Sequence, residues 1–240
     1  MPDKLGTFYG LGVGPGDPEL LTIKAVRILN SVDVVLTAAS TKNEYSLARE
    51  IAAPHMKPGA ETETMNFPMT SDQEALDKAW SSNAERVAAI LRSGKSAAFL
   101  TLGDCLTYST YSYLLPFLKQ FIPEAEVVSV PGITSYQLAA ARLNRPLCLN
   151  SESFTVLSGT GDEENFSTLM DQSDNLAIMK SYRGRGKVID MLKEKNLAGV
   201  TALCSQLGLP NESITDGLGD GFPDDPSYFT IFLVNKRGRD

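Results

Sequence analysis

The segment GLGVGPGDPELLT, residues 10–22, has the residue types of a ligand-binding loop, because its four glycines alternate with other small or apolar residues. Glycines at this spacing let a backbone turn sharply and approach a ligand closely. A dinucleotide-binding fingerprint is excluded, since Pro15 or Asp17 stands where its third glycine belongs. A phosphate-binding P-loop is excluded as well, because the segment ends in Gly-Asp-Pro and lacks the required lysine. The segment is typical of close backbone approach without phosphate binding, and a tight strand-to-helix turn without any ligand is the alternative.

Two further loops, LGDCLTY at residues 102–108 and VPGITS at residues 130–135, carry a glycine shortly after an apolar segment. Asp104 adds a single carboxylate to the first of them. Backbone amides beside one carboxylate suit a ligand with hydroxyl groups and a positive charge, such as a nucleoside without phosphates. S-adenosylmethionine is a ligand of this kind, with an adenine, a ribose, an amino-acid tail and a sulfonium. Asp104 as a simple turn or helix-cap residue is the alternative.

The three loops need a scaffold, and the alternation of apolar segments with helical patterns predicts one. Five strands are expected, in TFYGLGV, DVVLTAA, ETETMNF, SAAFLTLGD and AEVVSVPG. Such alternation predicts a parallel, doubly wound sheet, whose ligands bind beyond the carboxyl ends of the strands. We expect Asp17 to cap a helix that starts at Pro18, and Ser82 or Asn83 to cap the helix in SNAERVAAILRSG.

The pattern of predicted strands and helices changes near residue 150. FTVLSGT, NLAIMKS, VTALCSQ and YFTIFLV are predicted strands with fewer, shorter helices between them, of which GKVIDMLKEKN is the clearest. The sequence therefore predicts two α/β domains. An N-terminal domain with the parallel sheet spans residues 1–149, and a C-terminal domain with a mixed sheet spans residues 150–240. The cleft between two such domains is the expected ligand site.

Composition excludes several other classes of protein. The net charge of −7 argues against a nucleic-acid partner, which needs clustered Lys and Arg. No apolar run approaches the roughly 20 residues of a membrane span, so no membrane association is expected. Three scattered cysteines form neither a disulfide framework nor a zinc spacing, which indicates a cytoplasmic location and no metal site. His55, the sole histidine, is expected to lie in a surface loop.

Taken together, GVGPGDPELLTIKAVRIL, LTLGDCLTY and VSVPGITSYQLAAARLNRPL resemble the motifs of the tetrapyrrole methylases in order and spacing. Members of this family are two-domain S-adenosylmethionine enzymes that methylate corrin precursors and sirohaem. Residues 46–70 and 176–187 look like the branch that methylates C20 of precorrin-2 or cobalt-precorrin-2. DCLTYSTYSYL is more similar to the cobalt-dependent, anaerobic-pathway form. One departure is Cys105, which stands where the family usually has proline and is expected to loosen that loop slightly.

The resemblance implies S-adenosylmethionine as the cofactor and a homodimer as the assembly. Carried over motif by motif, it implies cofactor contacts at Pro15, Leu102, Gly103, Asp104, Thr107, Thr134, Ser135, Met179, Leu207 and Thr230. The last two positions rest on a weaker alignment. No side chain of the sequence stands out as a general base, so no catalytic residue is assigned.

A tetrapyrrole substrate carries many carboxylates, and an acidic protein needs local cations to hold it. KSYRGRGK is the densest basic cluster of the chain and offers Lys180, Arg183 and Arg185, although a solvated helix start is an equal alternative. Arg142 and Arg145 are secondary candidates. Two other functions stay open: a methylase of the same fold acting on another tetrapyrrole carbon or another target, and a non-catalytic module that binds an adenosine ligand.

Overall fold

The computed structural model describes residues 4–39, 46–159, 163–181, 184–218 and 229–237. The chain divides into two compact units, Met1–Thr134 and Ser135–Asp240. The division precedes helix α5 (Ser135–Leu143), which contacts strand β10 (Thr230–Asn235) of the second unit. The sequence analysis drew its domain boundary after that helix, at residue 149. No described helix is long and apolar enough to cross a membrane.

The first unit contains the predicted parallel sheet. Its strands and helices are β1 (Phe8–Gly12), α1 (Ile23–Leu29), β2 (Val34–Ala39), α2 (Leu47–Ala52), β3 (Glu61–Asn66), α3 (Gln73–Arg92), β4 (Ala97–Thr101), α4 (Tyr111–Phe121) and β5 (Val127–Val130). The strand order in the sheet is β3-β2-β4-β1-β5, with helices between successive strands of the chain. All five strands expected from the sequence are present. The prediction of a parallel doubly wound sheet is confirmed.

The sheet of the first unit is buried on both faces, which explains why its central strands carry apolar residues at consecutive positions. Phe8 and Phe99 belong to a core cluster formed with α3 and α4. Leu11 and Leu100 belong to a second cluster formed with α1 and α2. Because successive strand residues point to opposite faces, a strand covered on both sides needs apolar residues at consecutive positions. All five residues of β4 are buried accordingly.

The helix starts differ from two predictions. Asp17 accepts a hydrogen bond from the Glu19 amide and caps a short 3₁₀ turn, Pro18–Leu20, while Thr22 caps α1. The prediction that Ser82 or Asn83 caps a helix is wrong, because both lie inside α3, which starts at Gln73 with Asp72 as its cap. These polar residues are accommodated in the helix interior because they are not among its buried positions.

The second unit contains a mixed sheet. Besides α5 and β10, its elements are β6 (Phe154–Ser158), α6 (Glu163–Gln172), β7 (Asn175–Met179), α7 (Arg185–Glu194), β8 (Thr201–Ser205) and β9 (Ser213–Asp216). The strand order is β6-β7-β10-β8-β9, with β6 parallel to β7 and β10 antiparallel to both β7 and β8. The predicted mixed sheet is confirmed, and β9, an edge strand antiparallel to β8, is an addition to it.

Candidate functional site

The three glycine-bearing loops lie at one edge of the first sheet. Strands β4, β1 and β5 are neighbours and run parallel. Their carboxyl ends therefore meet at the same edge, and residues 12–17, 102–108 and 130–135 follow these ends directly. This is the edge at which open α/β sheets bind their ligands.

The loops converge on the backbone of Gly103. The Gly103 amide donates to the Gly14 carbonyl oxygen at 2.7 Å, and the Gly14 amide donates back at 3.2 Å. A Cβ atom built on Gly132 would lie 2.2 Å from the Gly103 carbonyl oxygen, and one built on Gly12 would lie 2.7 Å from the same oxygen. These distances leave no space for a side chain at either position. The contact of the loop backbones is thus possible only because Gly12 and Gly132 are glycines, and Gly103 has a φ of +72°, which also favours glycine.

The carboxylate of Asp104 joins two of these loops. Its Oδ1 accepts hydrogen bonds from the Leu106 amide at 2.9 Å and the Thr107 hydroxyl at 3.0 Å. Its Oδ2 accepts from the amide of Gly132, in the third loop, at 3.0 Å. Asp104 is half-buried. The carboxylate therefore organises the loops, whatever else it contacts.

Cys105 is fully buried beside Asp104, where the family usually has proline. Burial raises the pKa of its thiol to about 11, and the neighbouring Asp104 carboxylate adds to the increase. The thiol is therefore protonated at neutral pH and donates to the carbonyl oxygen of Val130, at the end of β5, at 3.3 Å. A protonated thiol is a poor nucleophile. Cys105 thus packs and fastens the second loop against the third.

His55 contacts the 3₁₀ turn that follows the first loop. Its Nε2 lies 3.0 Å from the carbonyl oxygen of Pro18, and its own carbonyl oxygen accepts from the Asn30 side chain at 3.0 Å. The residue is half-buried. The sequence analysis expected a histidine in a surface loop, and the structure adds that it packs against the turn at Pro18.

The cofactor positions expected in the first unit lie in or beside these loops. Pro15 and Thr134 are buried, while Leu102, Gly103 and Thr107 are half-buried. Ser135, the first residue of α5, belongs to the second unit and is half-buried. The assignment of these residues as cofactor contacts stays a prediction.

The positions expected in the second unit meet at one edge of its sheet. Met179 ends β7, and Leu207 follows the end of β8. Thr230 starts β10, which runs antiparallel to both strands, so its first residue lies beside their carboxyl ends. The Thr230 hydroxyl is 3.1 Å from the Ser205 hydroxyl, and both Thr230 and Leu207 are buried. The second sheet therefore places the three residues along one edge.

The loop that contains Leu207 is held by an ion pair. Glu212 accepts from Arg142 Nε at 2.8 Å and from the Gly208 amide at 2.6 Å. Burial alone would raise the pKa of Glu212, but these hydrogen bonds outweigh it and lower the pKa. Arg145 forms a bidentate pair with Asp216, at 2.7 and 2.6 Å. Arg142 and Arg145, the secondary substrate candidates, are thus engaged with carboxylates of their own unit.

We expect Glu212→Gln to remove a pH-dependent part of the stability. Because its folded pKa lies below the ordinary value of 4.5, the native carboxylate contributes stability above that value. This contribution is lost as the pH falls through the folded pKa. Thermal unfolding followed from neutral pH to about pH 3 should therefore show a shallower decline for Glu212→Gln than for the wild type. Glu85→Gln, on an exposed face of α3, is the control, and parallel declines for all three proteins would contradict the expectation.

The basic cluster follows β7. Lys180 has a φ of +54°, which is uncommon for a residue other than glycine. The residue is exposed overall, yet desolvation of its ammonium group lowers its pKa. Arg185 starts α7 and is half-buried, whereas Arg183 lies outside the described residues. The structure therefore places Lys180 and Arg185 at the two ends of the β7–α7 connection.

Gly12 and Gly132 were not among the site residues predicted from the sequence. The signal was available, because both are glycines of the motifs that were singled out. Their importance comes from contacts across 91 residues, between Gly12 and Gly103, and such contacts are invisible in a single sequence. Among the described residues, no group of three or more His, Cys, Asp or Glu side chains could hold a metal ion.

The chain is similar to proteins of known name along nearly its whole length. The chain is 34% identical over 233 residues to the cobalt-precorrin-2 C(20)-methyltransferase of Salmonella typhimurium, covering 97% of each protein. It is 32% identical over 230 residues to a Methanocaldococcus jannaschii protein named probable cobalt-precorrin-2 C(20)-methyltransferase, covering 95% of each. A solved uroporphyrin-III C-methyl transferase from Thermus thermophilus, complexed with S-adenyl homocysteine, aligns with a TM-score of 0.66 at 22% identity, over 96% of this chain and 98% of that chain.

The family itself follows from a match to most of the chain. Residues 7–220 match the model described as Tetrapyrrole (Corrin/Porphyrin) Methylases. The sequence resemblance is thereby confirmed, and the chain belongs to the tetrapyrrole methylase family.

Proposed function

We propose that this protein is a methyltransferase that uses S-adenosylmethionine to methylate C20 of cobalt-precorrin-2 in cobalamin biosynthesis. The observation that carries the proposal is 34% identity along nearly the whole length of a relative of that name. The second relative, from an archaeon, also has cobalt-precorrin-2 in its name. Both names favour the cobalt-containing substrate over metal-free precorrin-2.

The chemistry of the first-unit loops supports the proposed cofactor. Residues 12–17, 102–108 and 130–135 contain no Lys, Arg or His. Asp17 and Asp104 place negative charge in these loops, which disfavours a nucleotide phosphate, whereas a nucleoside without phosphates needs only backbone groups and hydroxyls. The glycines at positions 12, 103 and 132 bring three stretches of backbone together without side chains between them. We propose cofactor contacts at Pro15, Leu102, Gly103, Asp104, Thr107, Thr134, Ser135, Met179, Leu207 and Thr230.

The proposed reaction depends mainly on the alignment of the accepting carbon with the methyl group. The bond between the sulfonium sulfur of S-adenosylmethionine and its methyl group breaks as the bond to C20 forms, a neutral thioether leaves, and C20 then releases its proton. The chain must hold the accepting carbon in line with that methyl group and exclude water. The loops of the first unit are suited to this, because Asp104, Cys105 and the glycine contacts fix their backbones before any ligand arrives.

The substrate is proposed to bind through its carboxylates. Lys180, Arg183 and Arg185 are the proposed partners, since guanidinium groups pair with carboxylates in a bidentate geometry. Arg142 and Arg145, the secondary candidates, each pair with a carboxylate of this chain. A homodimer and a cytoplasmic location complete the proposal. The measured mass of the protein in solution checks the first of these.

The proposal is tested by incubating the protein with S-adenosylmethionine and precorrin-2, with and without cobalt. Mass spectrometry should show the addition of one methyl group, and NMR should place it on C20, with the cobalt complex the better substrate. A methyl group on another carbon would indicate a different member of the family. Binding of S-adenosylhomocysteine without transfer to either substrate would indicate a non-catalytic module that binds adenosine ligands.

A further inference from the structure

The hydrogen bonds of Asp104 leave little of its carboxylate for a ligand. A carboxylate offers about four lone-pair sites. Three of them accept from the Leu106 amide, the Thr107 hydroxyl and the Gly132 amide, at 2.9, 3.0 and 3.0 Å. Two of these donors belong to the loop of Asp104 itself, and the third belongs to the loop after β5. The carboxylate therefore acts mainly on the protein.

The bond to Gly132 has a specific geometric consequence. Gly132 packs against the Gly103 carbonyl oxygen so closely that a Cβ atom would lie 2.2 Å from it. Gly103 immediately precedes Asp104 in the chain, so the Asp104 carboxylate holds Gly132 against Gly103. Cys105 adds a second fastening to the same strand end through Val130. Two consecutive side chains thus fix the separation of the second and third loops.

We infer that the Asp104 carboxylate is a positioning group, which sets the distance between the second and third loops so that their backbones can meet the cofactor. This inference rests on the proposed function and adds a role for a side chain that resemblance would place in direct contact with the ligand. Under the inference, the ligand meets backbone atoms of residues 102–104 and 132–134. The side chain of Asp104 acts on the ligand through Gly132 and Thr107.

Substitution by asparagine separates this role from direct ligand contact. Asparagine has the shape of aspartate, but one of its two terminal atoms is an NH₂ donor. Whichever way the amide is turned, that donor faces either the Gly132 amide or the donors of residues 106 and 107. At least one of the three bonds must therefore be lost. An Asp104 that only accepted from a ligand hydroxyl would leave the ligand-free protein unchanged on substitution by asparagine, including the amide exchange at Gly132.

The test combines a ligand-free and a ligand-bound measurement on Asp104→Asn and Asp104→Ala. Amide hydrogen exchange is first measured without ligand, and we expect exchange at Gly132 to accelerate while exchange at Phe99 in β4 is unchanged. Binding of S-adenosylhomocysteine is then measured by calorimetry. Both variants should lose affinity by at least about tenfold, the size expected from one hydrogen bond to a charged group. Asp72→Asn is the matched control, since Asp72 caps α3 and asparagine also caps well.

A double-mutant cycle with Thr107 adds a readout that simple destabilisation would not move. Thr107→Val removes the hydroxyl that donates a hydrogen bond to Asp104, whereas Thr107→Ser keeps a hydroxyl at this position. If both residues act through one network, the loss of affinity in Asp104→Asn/Thr107→Val is smaller than the product of the two single losses. Should Asp104→Asn not fold, Thr107→Val must still accelerate exchange at Gly132, with Thr107→Ser as the rescue.

The outcomes are distinct. Unchanged exchange at Gly132, wild-type affinity in Asp104→Asn, or losses that multiply independently would each overturn the inference and leave the proposed function standing. Failure of the wild type to bind S-adenosylhomocysteine would count against the proposed function instead, and the exchange measurement without ligand would still decide the role of Asp104.

Discussion

Replacing Gly132 with alanine is expected to weaken cofactor binding, with the affinity for S-adenosylhomocysteine falling by about 100-fold or more, as for a site displaced by about 1 Å. The added Cβ atom would lie 2.2 Å from the Gly103 carbonyl oxygen and 2.7 Å from backbone atoms of Gly12. All of these are backbone atoms, which cannot move aside as the end of a flexible side chain can. The third loop must therefore shift away from the other two.

The same substitution is also expected to destabilise the fold by about 1–3 kcal/mol, as overpacking usually does. Calorimetry with S-adenosylhomocysteine and thermal unfolding measure the two effects separately. Gly199→Ala is the matched control, because nothing lies within 4 Å of a Cβ atom at that position and its φ is not positive. Wild-type affinity in a folded Gly132→Ala protein would show that the close approach of the loops is not required for binding.

The loss of affinity should exceed the loss expected from stability alone. A variant that is less stable but still folded at the assay temperature binds the ligand normally. Tm and affinity are therefore not expected to correlate across the control variants. Gly132→Ala measured well below its Tm should remain defective. Recovery of binding on cooling would instead attribute the defect to unfolding.

Much of the fold could be predicted from the sequence, because its determinants are local. Central strands such as β4 carry apolar residues at consecutive positions, and each is followed by a helix with apolar residues at helical spacing. That alternation predicts a parallel sheet, and the sheet in turn predicts the edge at which the three loops lie. Strand β9 was not predicted, because its sequence Ser-Ile-Thr-Asp carries a single apolar residue and it lies at the sheet edge.

The start of α3 shows how a local signal can mislead. Ser82 and Asn83 have good capping side chains, and the apolar stripe after them is the strongest part of the helix. The helix nevertheless starts at Gln73, because Asp72 accepts from the Glu74 and Ala75 amides. Asn83 instead donates to the Asn66 carbonyl oxygen, 17 residues away. The local cap at Asp72 starts the helix, and the side chain of Asn83 is engaged in a tertiary contact.

The details of the site depend on contacts that no single sequence contains. The Asp104–Gly132 bond spans 28 residues, and the Arg142–Glu212 and Arg145–Asp216 pairs span 70 and 71. The sequence identified the motifs that carry these residues. It could not assign their partners, so the carboxylates that pair with the secondary candidates Arg142 and Arg145 were not predicted.

The Arg183→Ala/Arg185→Ala double variant is expected to raise the KM for the tetrapyrrole by at least about tenfold, while the affinity for S-adenosylmethionine changes little. An arginine–carboxylate pair is a charge-assisted hydrogen bond, and the loss of one such bond corresponds to about this factor. A substrate with many carboxylates must also approach a protein with a net charge of −7. Local cations therefore have to offset a long-range repulsion.

The salt dependence provides an independent check of the electrostatic argument. Raising the ionic strength should increase the wild-type KM, because charges are screened beyond about 8–10 Å near physiological salt. The double variant should respond less, since the attraction being screened has been removed. The cofactor carries no large net charge, and its affinity should depend on salt only weakly in both proteins.

The control must remove the same charge elsewhere. Lys57→Ala/Lys95→Ala removes two exposed cations that precede β3 and β4, at the amino ends of these strands. Lys95 pairs with Glu61 at an exposed position, so its loss should change stability little. A KM that rises equally in both double variants would assign the effect to net charge rather than to a binding site. An unchanged KM in Arg183→Ala/Arg185→Ala would show that the two arginines are solvated surface residues that do not bind the substrate. Lys180, beside Met179 at the end of β7, would then be the next cation to replace.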